Sequence, residues 1–124
     1  MTRTLRILIV DDDQFVRSVL RDVLSHRGYE CSEAGDGEEA LEKMRADTPD
    51  VVLLDLLMPR MSGIQALEEI RRDHPSSRVV VITSLASDAL VARALSAGAS
   101  GFVIKPFHPI EIQEAVQQAV RAVA

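Results

Sequence analysis

VVLLDLLMPRMSG, Val51 to Gly63, is the stretch on which the fold turns. Seven apolar residues surround one aspartate, Asp55, and the chain then breaks at Pro59. A continuous run of branched apolar residues reads as a strand buried on both faces. A lone buried carboxylate is costly to leave unpaired. Either something nearby compensates it, or the strand ends at Asp55 and delivers it to a site.

Working outward, the same kind of run recurs. Arg6–Val10 (RILIV) and Arg78–Ile82 (RVVVI) read as buried strands, Tyr29–Ala34 as a more polar edge strand, and 101–104 (GFVI) as a short last one. Helical spacing fills the gaps. Phe15, Val16, Val19, Leu20, Val23 and Leu24 share one face, and Gly28 closes that helix. Asp36 caps a helix carrying Ala40, Leu41 and Met44; Ser62 and Gln65 have capping-box spacing before Ile64, Leu67 and Ile70. Ser87 caps Asp88 to Ala97, and Pro109 opens a final helix with Ile110, Ile112, Val116 and Val120 inward. Five strands and five helices in strict alternation predict an α/β fold with a parallel sheet, right-handed crossovers and helices on both faces.

With 124 residues, 47% hydrophobic and 27% charged, the chain has the balance of one ordinary globular domain. A net charge of −5 disfavours nucleic acid as a direct partner. Cys31 is the only cysteine, so no internal disulfide forms and a reducing, cytoplasmic location is expected. No apolar run approaches the ~18 residues of a membrane span. MTRTLRILIV reads as a first strand with a basic flank rather than as a signal peptide. No linker or repeat is visible, and the expectation is a single-domain unit without an attached output domain, standing alone or excised from a longer chain.

In an open parallel sheet, ligands sit beyond the carboxyl ends of the strands. Past the first strand come Asp11, Asp12 and Asp13; at the end of the third, Asp55; of the fourth, Thr83 and Ser84; of the fifth, Lys105. With strand order 2-1-3-4-5, Asp11, Asp12 and Asp55 converge, with Thr83 and Lys105 opposite. Carboxylates so close repel unless a cation sits among them, and hard oxygen ligands suit Mg²⁺ or Mn²⁺. A carboxylate beside such an ion, a lysine and a hydroxyl is equipped to attack phosphorus. Each feature alone has a plainer reading: Asp13 caps a helix, Thr83 ends a strand, Lys105–Pro106 makes a loop. His26, His74 and His108 lie on helix ends or loops, far apart in sequence, with no metal-ligand spacing. Together, the set on successive strands is hard to obtain by accident.

On IVDDD, LLDLLMP, VITS, GASGFVIKPF and the start of the third helix, the sequence resembles the receiver domains of bacterial two-component response regulators over residues 1–124, most of all single-domain chemotaxis-type regulators. The resemblance implies a flavodoxin-like (βα)5 three-layer sandwich. It implies that Asp55 takes a phosphoryl group from a histidine kinase or phosphotransfer protein. Asp11, Asp12, Asp55 and the backbone carbonyl of Leu57 would hold Mg²⁺, and Thr83 and Lys105 would meet the phosphoryl oxygens. Thr83 and Phe102 would form the switch, and the Lys105–Pro106 peptide would be cis. The partner surface would be the fourth helix, last strand and last helix, read by an effector protein or a missing output domain.

Two departures stand out. Leu57 and Leu85 replace the polar residues that place a hydrolytic water in the family, which predicts slow loss of the phosphoryl group. Ser100 and Gly101 replace acidic residues that pair across dimers in the winged-helix branch, so a monomer or weak dimer is expected. A haloacid-dehalogenase-type phosphatase needs a second aspartate where Leu57 stands. A flavin or dinucleotide binder needs a phosphate loop where Asp11–Asp13 stand. A degenerate receiver acting only as an interaction module would not need the intact acidic, hydroxyl and lysine set.

Overall fold

The structure, a computed structural model, describes residues 4–85 and 87–123, with side chains up to 121. The basic flank Met1–Arg3 lies outside the described residues. The elements alternate as β1 (Arg6–Val10), α1 (Gln14–Ser25), β2 (Glu30–Ala34), α2 (Gly37–Ala46), β3 (Val51–Asp55), α3 (Gly63–Asp73), β4 (Arg78–Thr83), α4 (Asp88–Ser96), β5 (Gly101–Ile104) and α5 (Pro109–Val123). The strands form one parallel sheet in the order β2-β1-β3-β4-β5. This is the (βα)5 three-layer arrangement that the alternation predicts.

The period-two alternation of the strands divides the core in two. Leu8, Val10, Val52, Leu54, Val79 and Val81 face α2, α3 and α4, with Met44, Leu67 and Ile70 packed on them. Ile7, Ile9, Val51, Leu53, Val80 and Ile82 face α1 and α5, against Leu20, Leu24, Ile112 and Val116. Every residue of β3 is buried, because it is the central strand with helices on both sides. β2 is the polar edge, with Glu30 and Ser32 exposed.

Caps set the helix starts. Asp13, Asp36, Ser62 and Ser87 each accept a backbone N–H from the first turn of their helices. Pro109 is the first residue of α5, where a missing N–H costs nothing. Gly28 and Gly98, at φ +88° and +105°, turn the chain out of α1 and α4.

The strand ends differ slightly from the sequence pattern. β2 begins at Glu30, since the Tyr29 N–H bonds Leu24 O in the exit turn of α1. β3 ends at Asp55, which pairs with Ile82, and β4 runs one residue beyond Ile82, because Thr83 pairs with Ile104. Both chemistry-bearing residues are thus held by the sheet itself.

Candidate phosphoacceptor site

Asp11 follows the last paired residue of β1, and its N–H bonds Ala34 O at 3.2 Å. Asp55 closes β3, the neighbouring strand. This adjacency brings Asp11, Asp12 and Asp55 together: one carboxylate oxygen from each lies within 4.8 Å of the others. Asp11 and Asp55 are 2% and 4% exposed, while Asp12 is open to solvent. Asp13 stands apart as the cap of α1.

Lys105, just past β5, reaches across this cluster. Its Nζ donates to Asp11 Oδ2 at 2.8 Å and to Asp55 Oδ2 at 3.1 Å. The remaining oxygens are also engaged: Asp13 N–H donates to Asp11 Oδ1 and Leu57 N–H to Asp55 Oδ1, both at 2.9 Å. Burial pushes the Asp55 carboxyl above its ordinary pKa, and the charge of Asp11 adds to this; the Leu57 N–H and Lys105 act in the opposite sense. Burial tends to discharge Lys105, but the bond to Asp11 and the charges of Asp55 and Asp11 prevail and raise its pKa.

Thr83 is fully buried at the end of β4, and its Oγ1 accepts the Leu85 N–H at 3.1 Å. The side chains of Leu57 and Leu85 are exposed. The Lys105–Pro106 peptide is cis. Phe102 is half-buried on β5, opposite Val81 and against the α2–α3–α4 side of the core. It lies outside the carboxylate cluster, on the strand whose Ile104 pairs with Thr83.

Two further features frame the site. Gly63 opens α3 directly against the loop after β3: its N–H bonds Leu56 O, and a Cβ here would collide with the Leu56 backbone and sit 2.8 Å from Asp55 O. Arg17, on α1, donates from Nη1 to Asp11 O at 2.6 Å and from Nε to Glu33 at 3.0 Å. Sequence reading does not single out Arg17. The only signal was a cation on α1 and a carboxylate at the inner end of β2, with nothing to say that they meet.

The donor set fits a hard divalent cation. Three carboxylate oxygens sit on one side, two buried and one exposed, as a partly hydrated ion of the magnesium kind requires. Lys105 already supplies the compensating charge that such a cluster needs.

A buried carboxylate at a strand end, two acidic neighbours, a strand-end hydroxyl and a bridging lysine on a (βα)5 sheet define a signalling receiver. The response regulator receiver domain family matches residues 7–117, and the chain belongs to it. It is 41% identical over 114 residues to chemotaxis protein CheY of Thermotoga maritima, covering 91% of this chain and 95% of that protein. It is 38% identical over 116 residues to CheY of Bacillus subtilis, covering 93% and 97%. A CheY-like receiver domain protein from Methanospirillum hungatei superposes with a TM-score of 0.93 at 29% identity, covering 98% and 97%. The phosphatase and interaction-module alternatives are not favoured. No described helix is long and apolar enough to cross a membrane.

Proposed function

We propose that residues 1–124 form one receiver domain in which Asp55 is the phosphoacceptor, Asp11, Asp12, Asp55 and the Leu57 carbonyl hold Mg²⁺, and Thr83 and Lys105 receive the phosphoryl oxygens. The observation that carries this reading is the gathering of three carboxylates within 4.8 Å, two of them sharing Lys105. Magnesium, or manganese in its place, supplies charge neutralisation for phosphoryl oxygens beside these acids.

In the transfer, an Asp55 oxygen forms a bond to phosphorus as the bond from phosphorus to a phosphohistidine nitrogen breaks. The imidazole keeps the electron pair and takes a proton. Lys105 moves from its carboxylate partners to the incoming oxygens, so its charge stays compensated throughout. The Thr83 hydroxyl, held by the Leu85 N–H, turns to donate to a phosphoryl oxygen. Phe102 then swings toward the vacated space and alters the α4–β5–α5 surface that an effector or output domain reads.

The phosphodonor, a histidine kinase or phosphotransfer protein, meets the face beside Lys105. There an apolar hollow of about 440 Å³ is lined by Phe15, Val16, Val19, Pro106 and Phe107, and Phe15 is 75% exposed. Crystals grown with Mg²⁺ and beryllofluoride test the site directly. Density for both ions at Asp55 supports the assignment; ions bound elsewhere, or nowhere, overturn it.

A further inference from the structure

One side chain that meets the acidic cluster's backbone has no part in the chemistry already assigned: Arg17. Its guanidinium is mostly buried and forked between two fixed groups: Nε to Glu33 and Nη1 to the backbone carbonyl of Asp11. Glu33 is the penultimate residue of β2 and also takes the Arg21 guanidinium at 2.7 Å. The bond from Arg21, followed by that from Arg17, holds the Glu33 carboxyl below its usual range, so it stays charged as an anchor.

The carbonyl that Arg17 holds belongs to the peptide joining Asp11 to Asp12. A planar peptide gripped at its oxygen is fixed in rotation. Its orientation sets the direction in which Asp12 leaves the loop. Asp11 is pinned independently by Ala34 O, Asp13 N–H and Lys105. Asp12 is exposed, and its placement depends on the backbone that carries it.

We propose that Arg17, braced by Glu33, is a positioning residue for cation binding: it locks the Asp11–Asp12 peptide so that both carboxylates face the ion. This rests on the Mg²⁺ site described above. The sign of the effect separates positioning from charge. Arg17 is a cation near an acidic cluster, so on electrostatics alone its removal makes the site more negative and binds Mg²⁺ more tightly. Positioning predicts the reverse.

Calorimetric titration with MgCl₂ of the unphosphorylated full chain tests this, with circular dichroism reporting the folded fraction. Removing a group that orients a metal ligand commonly costs 10–100-fold in affinity, so Arg17→Ala is expected to weaken Mg²⁺ roughly tenfold. Arg17→Lys keeps the charge and loses the fork, and is expected to bind a few-fold more weakly than wild type. This second variant carries the test if the alanine variant does not fold. Affinity in the variants equal to or tighter than wild type overturns the inference while leaving the site intact. Failure of wild type to bind Mg²⁺, with the ion equally indifferent to Asp12→Asn, overturns the site and the inference together.

Discussion

The ammonium of Lys105 lies 3.1 Å from Asp55 Oδ2, bridging from β5 to the end of β3. The same group is 2.8 Å from Asp11, so one cation compensates two buried carboxylates. Before any phosphoryl group arrives, Lys105 has a structural task.

Lys105→Ala should therefore destabilise the metal-free protein. The lysine is partly exposed and the acids are buried, so roughly 1–3 kcal/mol is expected, between surface and fully buried pairs. Urea unfolding followed by circular dichroism reads this. Added Mg²⁺ should recover much of the loss, since it neutralises the same oxygens.

Mg²⁺ itself should stabilise the wild type by mass action, by about 2.7 kcal/mol at a concentration one hundred times its dissociation constant. Asp11→Asn and Asp12→Asn should each abolish most of that gain. A urea midpoint in either variant that still rises with Mg²⁺ as in wild type removes these residues from the ligand set.

The pH dependence has a defined sign. Asp55 titrates above the ordinary carboxylate range, chiefly through burial, so the folded state holds its proton more tightly than the unfolded one. Without metal, this group's contribution to stability falls as pH rises through the interval between the two values. Asp55→Asn should flatten that segment of the stability profile and raise the urea midpoint near neutrality. A profile unchanged by the substitution contradicts the raised pKa of this carboxyl.

Gly63→Ala should be far costlier than its size suggests. The added methyl meets backbone of Leu56 and Asp55 O rather than a flexible side chain, so it cannot be absorbed by a rotamer change. A loss of about 2–3 kcal/mol is expected from overpacking, with weaker Mg²⁺ binding because the displaced segment carries Asp55 and Leu57. Equal midpoints for wild type and variant would show that the helix start yields freely.

Leu57 and Leu85 carry exposed apolar side chains two residues past Asp55 and Thr83, while their N–H groups are committed to those residues. Neither side chain can orient a water. Leu57→Asn with Leu85→Glu should speed loss of the phosphoryl group by about tenfold, a modest share of what positioned proton transfer supplies. Phosphate release from the purified phosphoprotein measures it, and identical rates remove the idea.

Much of this was legible in the residues. The buried run Val51–Leu54 set between helical segments leaves little choice but a parallel sheet, and strand-end placement alone gathers Asp11, Asp12 and Asp55. Caps at Asp13, Asp36, Ser62 and Ser87 announced the helix starts because side-chain capping follows fixed spacing. The Arg17 bond to Asp11 O was not legible: a side chain that meets a backbone carbonyl leaves no periodic trace. Nor could sequence say that Lys105 shares itself between two acids, since that depends on where the loop after β5 folds back. The extra strand residue at Thr83 escaped the pattern because polar residues normally mark a strand's end, whereas pairing with Ile104 keeps this one in register.

The central claim is that Asp55 accepts a phosphoryl group with the help of a divalent cation. Incubation with acetyl phosphate and Mg²⁺, followed by intact mass, tests it most directly. The account predicts one phosphoryl adduct per chain, lost when Mg²⁺ is chelated beforehand and absent in Asp55→Asn. An adduct that persists in Asp55→Asn, or wild-type protein that stays unmodified, would contradict it.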